Sequence, residues 1–377
     1  MKKIYLFIAL FACALCSCGS DEDGMTYAQP VEIGETTDMK TAKEVAETLW
    51  ATTPLQQQPL NAERSEVLKK IQKMADDCTS DFFESYIASL DQSAEMREKY
   101  DPMLAFYRLS LDHVINAIKT TTVENGTTCI WQLYNMGYIV KTPTTCFGID
   151  INHRWAEKLE PYLDFLCVTH KHQDHYNTAL INAMLNAGKP VYSNWIKGGY
   201  TSKVNTDYQF NNIKIHVSIT DHNNSGLSNF VSVFTFECGD DSGNFTMLHT
   251  GDSNFKAAQY TNILPHVNVL IPRYAPNALT ENNIIGTSAG QTKPDYVLLS
   301  HILELSHESE EESRWSLNSA LERASKLNCE NSVVPFWGEK LVWKDGKLNY
   351  NEEDLYFILV VHAHFGELCT KQSERDS

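Results

Sequence analysis

The sequence predicts a layered α/β protein in which β-strands are interleaved with helices and preceded by a helical region. Three observations predict it. Residues 40–120 carry apolar side chains at helical spacing, short β-rich runs begin near residue 125, and helical segments recur among those runs. The chain has 377 residues, 42% hydrophobic and 21% charged. That allows two domains, or one large domain with additions, and a sizeable core.

The amino terminus reads as a separate segment. Met1-Lys2-Lys3 is a short basic start, and residues 4–15 form an apolar run too short to span a bilayer comfortably. "LCSC", residues 15–18, puts a small residue before a cysteine. This resembles the lipobox of bacterial lipoproteins, which implies a signal peptide over residues 1–17 and lipidation of Cys18. A plain secretory signal is the alternative. The acidic "GSDED" that follows resembles a surface-export signal of some Gram-negative lipoproteins, with a solvated acidic linker as the alternative. The expected location is therefore the outer membrane, anchored through Cys18, with either leaflet open. Residues 18–39 are polar, lack apolar periodicity and read as a tether.

Net charge is -17, and removing residues 1–17 takes away Lys2 and Lys3 and no acids, giving -17 - 2 = -19. Such a chain repels polyanions at low salt, and no Lys/Arg run suggests a basic groove. The expected partner is a small-molecule substrate and not a nucleic acid.

In residues 40–120, Val67, Leu68, Ile71, Met74 and Ala75 share one helix face. Phe82, Phe83, Tyr86, Ile87 and Leu90 form a second stripe, and Leu104, Tyr107, Leu111, Val114 and Ile118 a third. Asp101 is placed to cap the third helix, with Pro102 in its first turn. After "ENGTT" come "CIWQLY", "GYIVKT", "CFGIDI" and "FLCVTH", then the helix "NTALINAMLNAGKP" stopped by Gly188 and Pro190. Further strands are "PVYSNW", "IKIHVSI", "FVSVFTFECG", "FTMLHTGD", "VNVLIPRY" and "DYVLLSH". A helix over about 309–327 precedes "SVVPFWGEKLVW" and the terminal "LYFILVVHAHF".

The chemistry concentrates in "VTHKHQDHYN", residues 168–177. Three of the 13 histidines and an aspartate fall within His170, His172, Asp174 and His175, where a strand ends and a helix begins. Imidazole and carboxylate are ligands for zinc, manganese or iron. Three further strands end in such a residue, at His222, Asp252 and His301, and an earlier one ends in Asp150. This ordered set resembles the metallo-β-lactamase superfamily over about residues 129–343. The resemblance implies an αββα sandwich within residues 125–377 and two divalent cations, zinc first, with manganese or iron as alternatives. One cation would be held by His170, His172 and His222, the other by Asp174, His175 and His301. Asp252 would bridge them, and Asp150 would support the loop. Asp252 stands where zinc β-lactamases have cysteine, which points away from lactam cleavage and toward the lactonase and phosphodiesterase-like branches. The implied activity is a metal-dependent hydrolase that uses water activated between two cations on a small ester, lactone or amide, with Asp174 moving protons. A phosphodiesterase of the same fold and a binding protein without turnover are the alternatives.

Softer candidates remain. His249 reads equally as strand packing or as a donor behind the ligands. Arg273 and Tyr274 read as the pocket mouth or as a loop salt bridge, the latter favoured. His307 and the acidic run 307–313 read as the start of the late helix, and His362 and His364 as a strand end. Of ten cysteines, Cys129 and Cys146 flank an apparent hairpin and are a candidate disulfide, and Cys167 reads as buried packing.

Overall fold

A computed structural model describes residues 35–56, 60–89, 93–224, 226–275, 279–308 and 314–350. Cys18 with the signal and acidic tract, most of the tether, Cys369, and His362 and His364 lie outside the described residues.

The helical region contains α1 (Thr37–Trp50), α2 (Ala62–Asp77), α3 (Ser80–Ala88), α4 (Ser93–Tyr100) and α5 (Pro102–Thr120). Side-chain caps set their starts: Thr36 accepts from Met39 N, Asn61 from Arg64 N, and Asp101 from Leu104 N at 2.8 Å, with Pro102 in the first turn. The Thr36 cap begins α1 inside the segment expected as tether. All five residues of the first and of the third apolar stripe are buried. In the second stripe Phe83 and Tyr86 are buried, α3 ends at Ala88, and Leu90 lies outside the described residues.

Strands β1 (Thr127–Gln132), β2 (Tyr138–Lys141), β3 (Cys146–Ile149), β4 (Phe165–Cys167), β5 (Val191–Ser193) and β6 (Tyr200–Thr201) belong to one sheet, with α6 (Thr178–Asn186) between β4 and β5. A second sheet holds β7 (Thr206–Phe210), β8 (Ile213–Thr220), β9 (Val231–Glu237), β10 (Thr246–His249), β11 (His266–Ile271), β12 (Lys293–Leu298) and β13 (Ser332–Val333). The chain then returns to the first sheet through β14 (Lys340–Lys344) and β15 (Lys347–Tyr350). The orders are β15-β14-β1-β2-β3-β4-β5-β6 and β13-β12-β11-β10-β9-β8-β7. Three strands escaped the apolar pattern, β6, β7 and β15, because these short, largely polar segments sit at sheet edges.

Burial defines the layers. Ile130, Phe147 and Phe165 of the first sheet meet Ile215, Phe236 and Met247 of the second. Leu111, Val114 and Ile118 of α5, with Leu180 and Met184 of α6, cover Trp131, Ile139 and Leu166 on the outer face of the first sheet. Leu248, Leu270 and Val297 of the second sheet share a buried cluster with α1, α2, α3 and with α7 (Leu317–Ala324). The result is the αββα sandwich, and the helical region extends its core.

Three arginines, of which Arg64 and Arg314 are buried, fasten that region to the sandwich. Arg64 of α2 reaches both carboxylate oxygens of Glu339, at 2.6 and 3.0 Å, with both side chains at most 1% exposed. Arg154 donates to Tyr86 O and Ile87 O at the end of α3. Arg314 donates to Ala75 O and Cys78 O at the end of α2 and to Leu305 O. The carbonyls of α2 and α3 lie at helix C-termini, where Ala75 O and Tyr86 O also accept from the cap N–H groups of Cys78 and Ser89, so a guanidinium there adds a donor and suits the helix dipole. Gly338 (φ +89°) completes the contact: a Cβ there would lie 2.6 Å from Trp50 Nε1, which donates to Trp337 O.

Two expectations are corrected. The late helix spans Leu317–Ala324, capped by Ser316, and does not begin near residue 309. Trp315 at φ +45° breaks the helical path, so His307 is not in the helix's first turn, and residues 309–313 of the acidic run lie outside the described residues. Cys129 and Cys146 do not form a disulfide: both register with Lys141 from opposite sides, which places β2 between them. Two strand spacings are about 9.5 Å, beyond disulfide reach. Cys167 is fully buried, and burial pushes its thiol upward.

Replacing Arg64 by Ala strands the Glu339 carboxylate in the core and is expected to cost about 3–5 kcal/mol in urea unfolding. The double change Arg64→Met with Glu339→Leu should recover more than half of that loss. Equal losses in the single and double variants would show that the ion pair does not set this stability.

Candidate metal centre

Strand direction brings the site together. β8 and β10 are each antiparallel to β9, so they run the same way, and β10, β11 and β12 are parallel. β3 and β4 are likewise parallel. Asp150 follows β3, His170 to His175 follow β4, His222 follows β8, Asp252 follows β10 and His301 follows β12.

Asp150 is buried at φ +47° and organises the loop after β4. Its Oδ1 accepts from Thr169 N at 2.7 Å. Its Oδ2 accepts from Thr169 Oγ1 at 2.6 Å and from His175 Nδ1 at 2.8 Å. The Thr169 hydroxyl, having donated its proton, accepts from His170 Nδ1 at 3.0 Å. These bonds fix both tautomers and turn Nε2 of His170 and of His175 inward. Thr169 O also accepts from Ser232 N at 2.8 Å, linking the loop to the second sheet. Gly251 (φ +48°) passes so close that a Cβ would lie 2.6 Å from Thr169 Oγ1.

The seven expected ligands converge in two groups. His170, His172 and His222 form one, and Asp174, His175, Asp252 and His301 the other; within each, the ligand atoms lie within 4.8 Å of one another. His170 Nε2 is 3.1 Å from His172 Nδ1, close to the ~3.3 Å expected of two nitrogens around one tetrahedral zinc. Asp252 faces both groups: Oδ1 is 3.4 Å from His175 Nε2, and Oδ2 is 3.4 Å from His222 Nε2. Asp174 Oδ2 lies 2.9 Å from His175 Nε2 and 3.3 Å from His301 Nε2.

Buried Nε2 atoms of His175, His222 and His301, and Oδ1 of Asp252, have no hydrogen-bond partner. Such atoms are costly to bury unless something binds them, and an imidazole–carboxylate set suits a divalent cation such as zinc, manganese or iron. The residues fit a metal.

Charge is shared unevenly. Burial holds His170 well below the usual histidine range and also lowers His172. Burial pulls His175 down too, but Asp174, Asp252 and Asp150 outweigh it and hold the ring well above that range. His301 is pushed up to about 9: burial opposes the shift, while Asp252, Asp174 and Glu304 cause it. Burial would raise Asp174 and Asp252, yet His175 and His301 keep both well below the usual carboxylate range. The carboxylates thus favour positive charge in the second group, whether on imidazoles or on a cation.

Further residues hold or border the site. His249 accepts from Gly251 N at Nδ1 and donates from Nε2 to Met136 O, which supports the backbone leading to Asp252. Asn135 donates from Nδ2 to Asp174 Oδ2 at 3.0 Å, and its carbonyl faces His301 N at 3.5 Å. Glu304 Oε2 lies 3.1 Å from His307 Nε2 and 3.8 Å from His301 Nε2. Arg273 forms neither the salt bridge nor an open mouth; it is buried, donating to Ser253 O and Tyr274 O. Tyr274 is buried against Trp315. Thr169 and Asn135 carried no sequence signal of their own beyond adjacency to His170 and a place in the "YNMGYIVKT" turn.

No protein-family model matches the sequence, and no curated protein matches it. Solved structures do resemble the chain. A metallo hydrolase from the archaeon Ignicoccus hospitalis is 14% identical, covers 58% of this chain and 99% of its own, and has a TM-score of 0.40. The metallo-β-lactamase fold protein YhfI from Bacillus subtilis is 15% identical over 57% of this chain and 99% of its own, at 0.40. An isothiocyanate hydrolase from Delia radicum gut bacteria is 14% identical over 56% and 97%, at 0.36. Likeness of this degree carries no argument about activity, which has to come from the site itself.

Asn135→Ala removes the bond that orients Asp174 and is expected to weaken zinc binding about 10–100-fold. Competition against a chromophoric chelator measures this. Affinity equal to that of the unaltered chain would show that Asp174 orients itself.

Proposed function

We propose that the chain is a metal-dependent hydrolase with two divalent cations, zinc first, acting on a small ester, lactone or amide. The observation that carries this reading is the pair of donor groups facing a single carboxylate, Asp252, from its two oxygens. When bound there, two adjacent cations would lower the pKa of water to about 7 and offset charge developing on a carbonyl oxygen.

The chain's own residues do the rest. Asp150 and Thr169 hold His170 and His175 in the tautomers that aim Nε2 inward. Asp174 retains 15% side-chain exposure and is held by Asn135, which suits it to take the attacking water's proton at a carboxylate oxygen and pass it to the leaving group. Asp252 keeps both donor groups in register. The strongly acidic composition supports an uncharged acyl substrate over a phosphodiester. The lipobox-like "LCSC" supports export and anchoring through Cys18.

Zinc-loaded protein is expected to hydrolyse members of an ester, lactone and amide panel. Chelation or His172→Ala should lower both bound metal and turnover, the latter by at least about 100-fold. A His172→Ala protein with full metal content and unchanged turnover would remove His172 from the site. Fully loaded wild type without turnover across the panel would leave a binding protein. Separately, growth with labelled palmitate should label the chain and not its Cys18→Ala variant; equal labelling would rule out Cys18 as the anchor.

A further inference from the structure

The two donor groups are bordered by different aromatic rings. Phe230 packs against the first group, its ring centroid 5.0 Å from that of His172, 5.7 Å from His170 and 5.8 Å from His222. Its backbone is pinned on both sides, N–H donating to Thr220 O and C=O accepting from Asn194 Nδ2 at 2.8 Å. Trp315 borders the second group, 5.2 Å from the His301 ring and 5.1 Å from Tyr274. Its carbonyl accepts from Leu303 N, which holds the left-handed turn that presents the ring. Both rings are only partly buried.

The guanidinium groups nearby are committed elsewhere. Arg273 donates to Ser253 O and Tyr274 O, and Arg314 donates to carbonyls of residues 75, 78 and 305. Neither turns the planar fork that phosphoryl or carboxylate recognition uses toward the donor groups. Lys171, in the histidine loop, lies over the Trp195 ring at 5.6 Å.

From these placements we infer that Phe230 and Trp315 determine specificity, selecting an uncharged acyl substrate that carries an aromatic ring, such as an aryl-fused lactone. The inference rests on the hydrolase reading above and adds the substrate class. Aromatic faces at the flanks of a polar centre reward a flat apolar group through offset or edge contacts beyond the area buried. In the reaction, water's oxygen bonds to the lactone carbonyl carbon and the ring C–O bond breaks. Water's proton ends on the departing oxygen, giving the hydroxy acid.

The test compares zinc-loaded wild type, Phe230→Ala and Trp315→Ala on dihydrocoumarin and δ-valerolactone, two six-membered lactones with and without a fused ring. The ratio of their kcat/KM values should fall about tenfold in each variant, mainly through KM. Intrinsic reactivity of the two lactones cancels in that comparison between proteins. Calorimetry should show the same loss in equilibrium binding of the product 3-(2-hydroxyphenyl)propanoate relative to 5-hydroxyvalerate. Phe230→Tyr and Trp315→Phe, which keep a ring, should retain most of the preference. An unchanged ratio in both alanine variants, with lactones still hydrolysed, overturns the inference and leaves the hydrolase reading standing. Cleavage of bis(4-nitrophenyl) phosphate with a higher kcat/KM than dihydrocoumarin overturns the inference together with the acyl-substrate part of the proposed function, and leaves a metal-dependent hydrolase. Zinc-loaded wild type inert toward both lactones and toward the matching ethyl esters and amides overturns the hydrolase reading itself.

Discussion

The carboxylate of Asp150 is the contact on which the candidate metal centre depends. It is fully buried, sits at a left-handed backbone position, and accepts from Thr169 N, Thr169 Oγ1 and His175 Nδ1. A charge in such a place is tolerable only because its lone pairs are taken up by converging donors. The same bonds dictate which nitrogen of His170 and of His175 faces inward. Thr169 carries the constraint across to the second sheet through Ser232, and the bare Cα of Gly251 leaves room for it. One acid that belongs to neither donor group thereby sets the orientation of one imidazole in each.

The helical region has a second role beyond covering apolar surface. Arg314 joins the end of α2 to Leu305, a few residues past His301, while the Tyr134 hydroxyl accepts from Leu305 N. His301 and Leu303 both occupy left-handed backbone positions, so this loop is held by tertiary contacts and not by its own preference. The region that precedes the sandwich in sequence thus helps to position His301, the last of the candidate ligands.

What could be read in the sequence follows from what each signal depends on. The seven ligand candidates and Asp150 were legible because four of them crowd into one short segment after β4 and the others each follow a strand, whose end is marked by an apolar run that stops. The stripes of α2 and α5 were legible for the same local reason. Thr169, Asn135, Phe230 and Trp315 were not, since their roles arise only where distant segments meet. The late helix starts later than the sequence predicts because Trp315 takes a positive φ, which comes from the fold around it and leaves no local sequence signal. The suggested Cys129–Cys146 pair failed for a topological reason: sequence shows that two residues flank a hairpin but not that a strand runs between them.

The return of β14 to pair with β1 carries a consequence for how the molecule comes to be. The pairing joins residues 127–131 to 340–344, so the first sheet cannot close until synthesis has passed residue 344. Until then β1 presents one unpaired backbone edge, and the nascent chain has a template for mispairing in place of a finished sandwich. Closure over so long a span is entropically slow. A chain held unfolded until it is fully made escapes that hazard, whereas one released early does not.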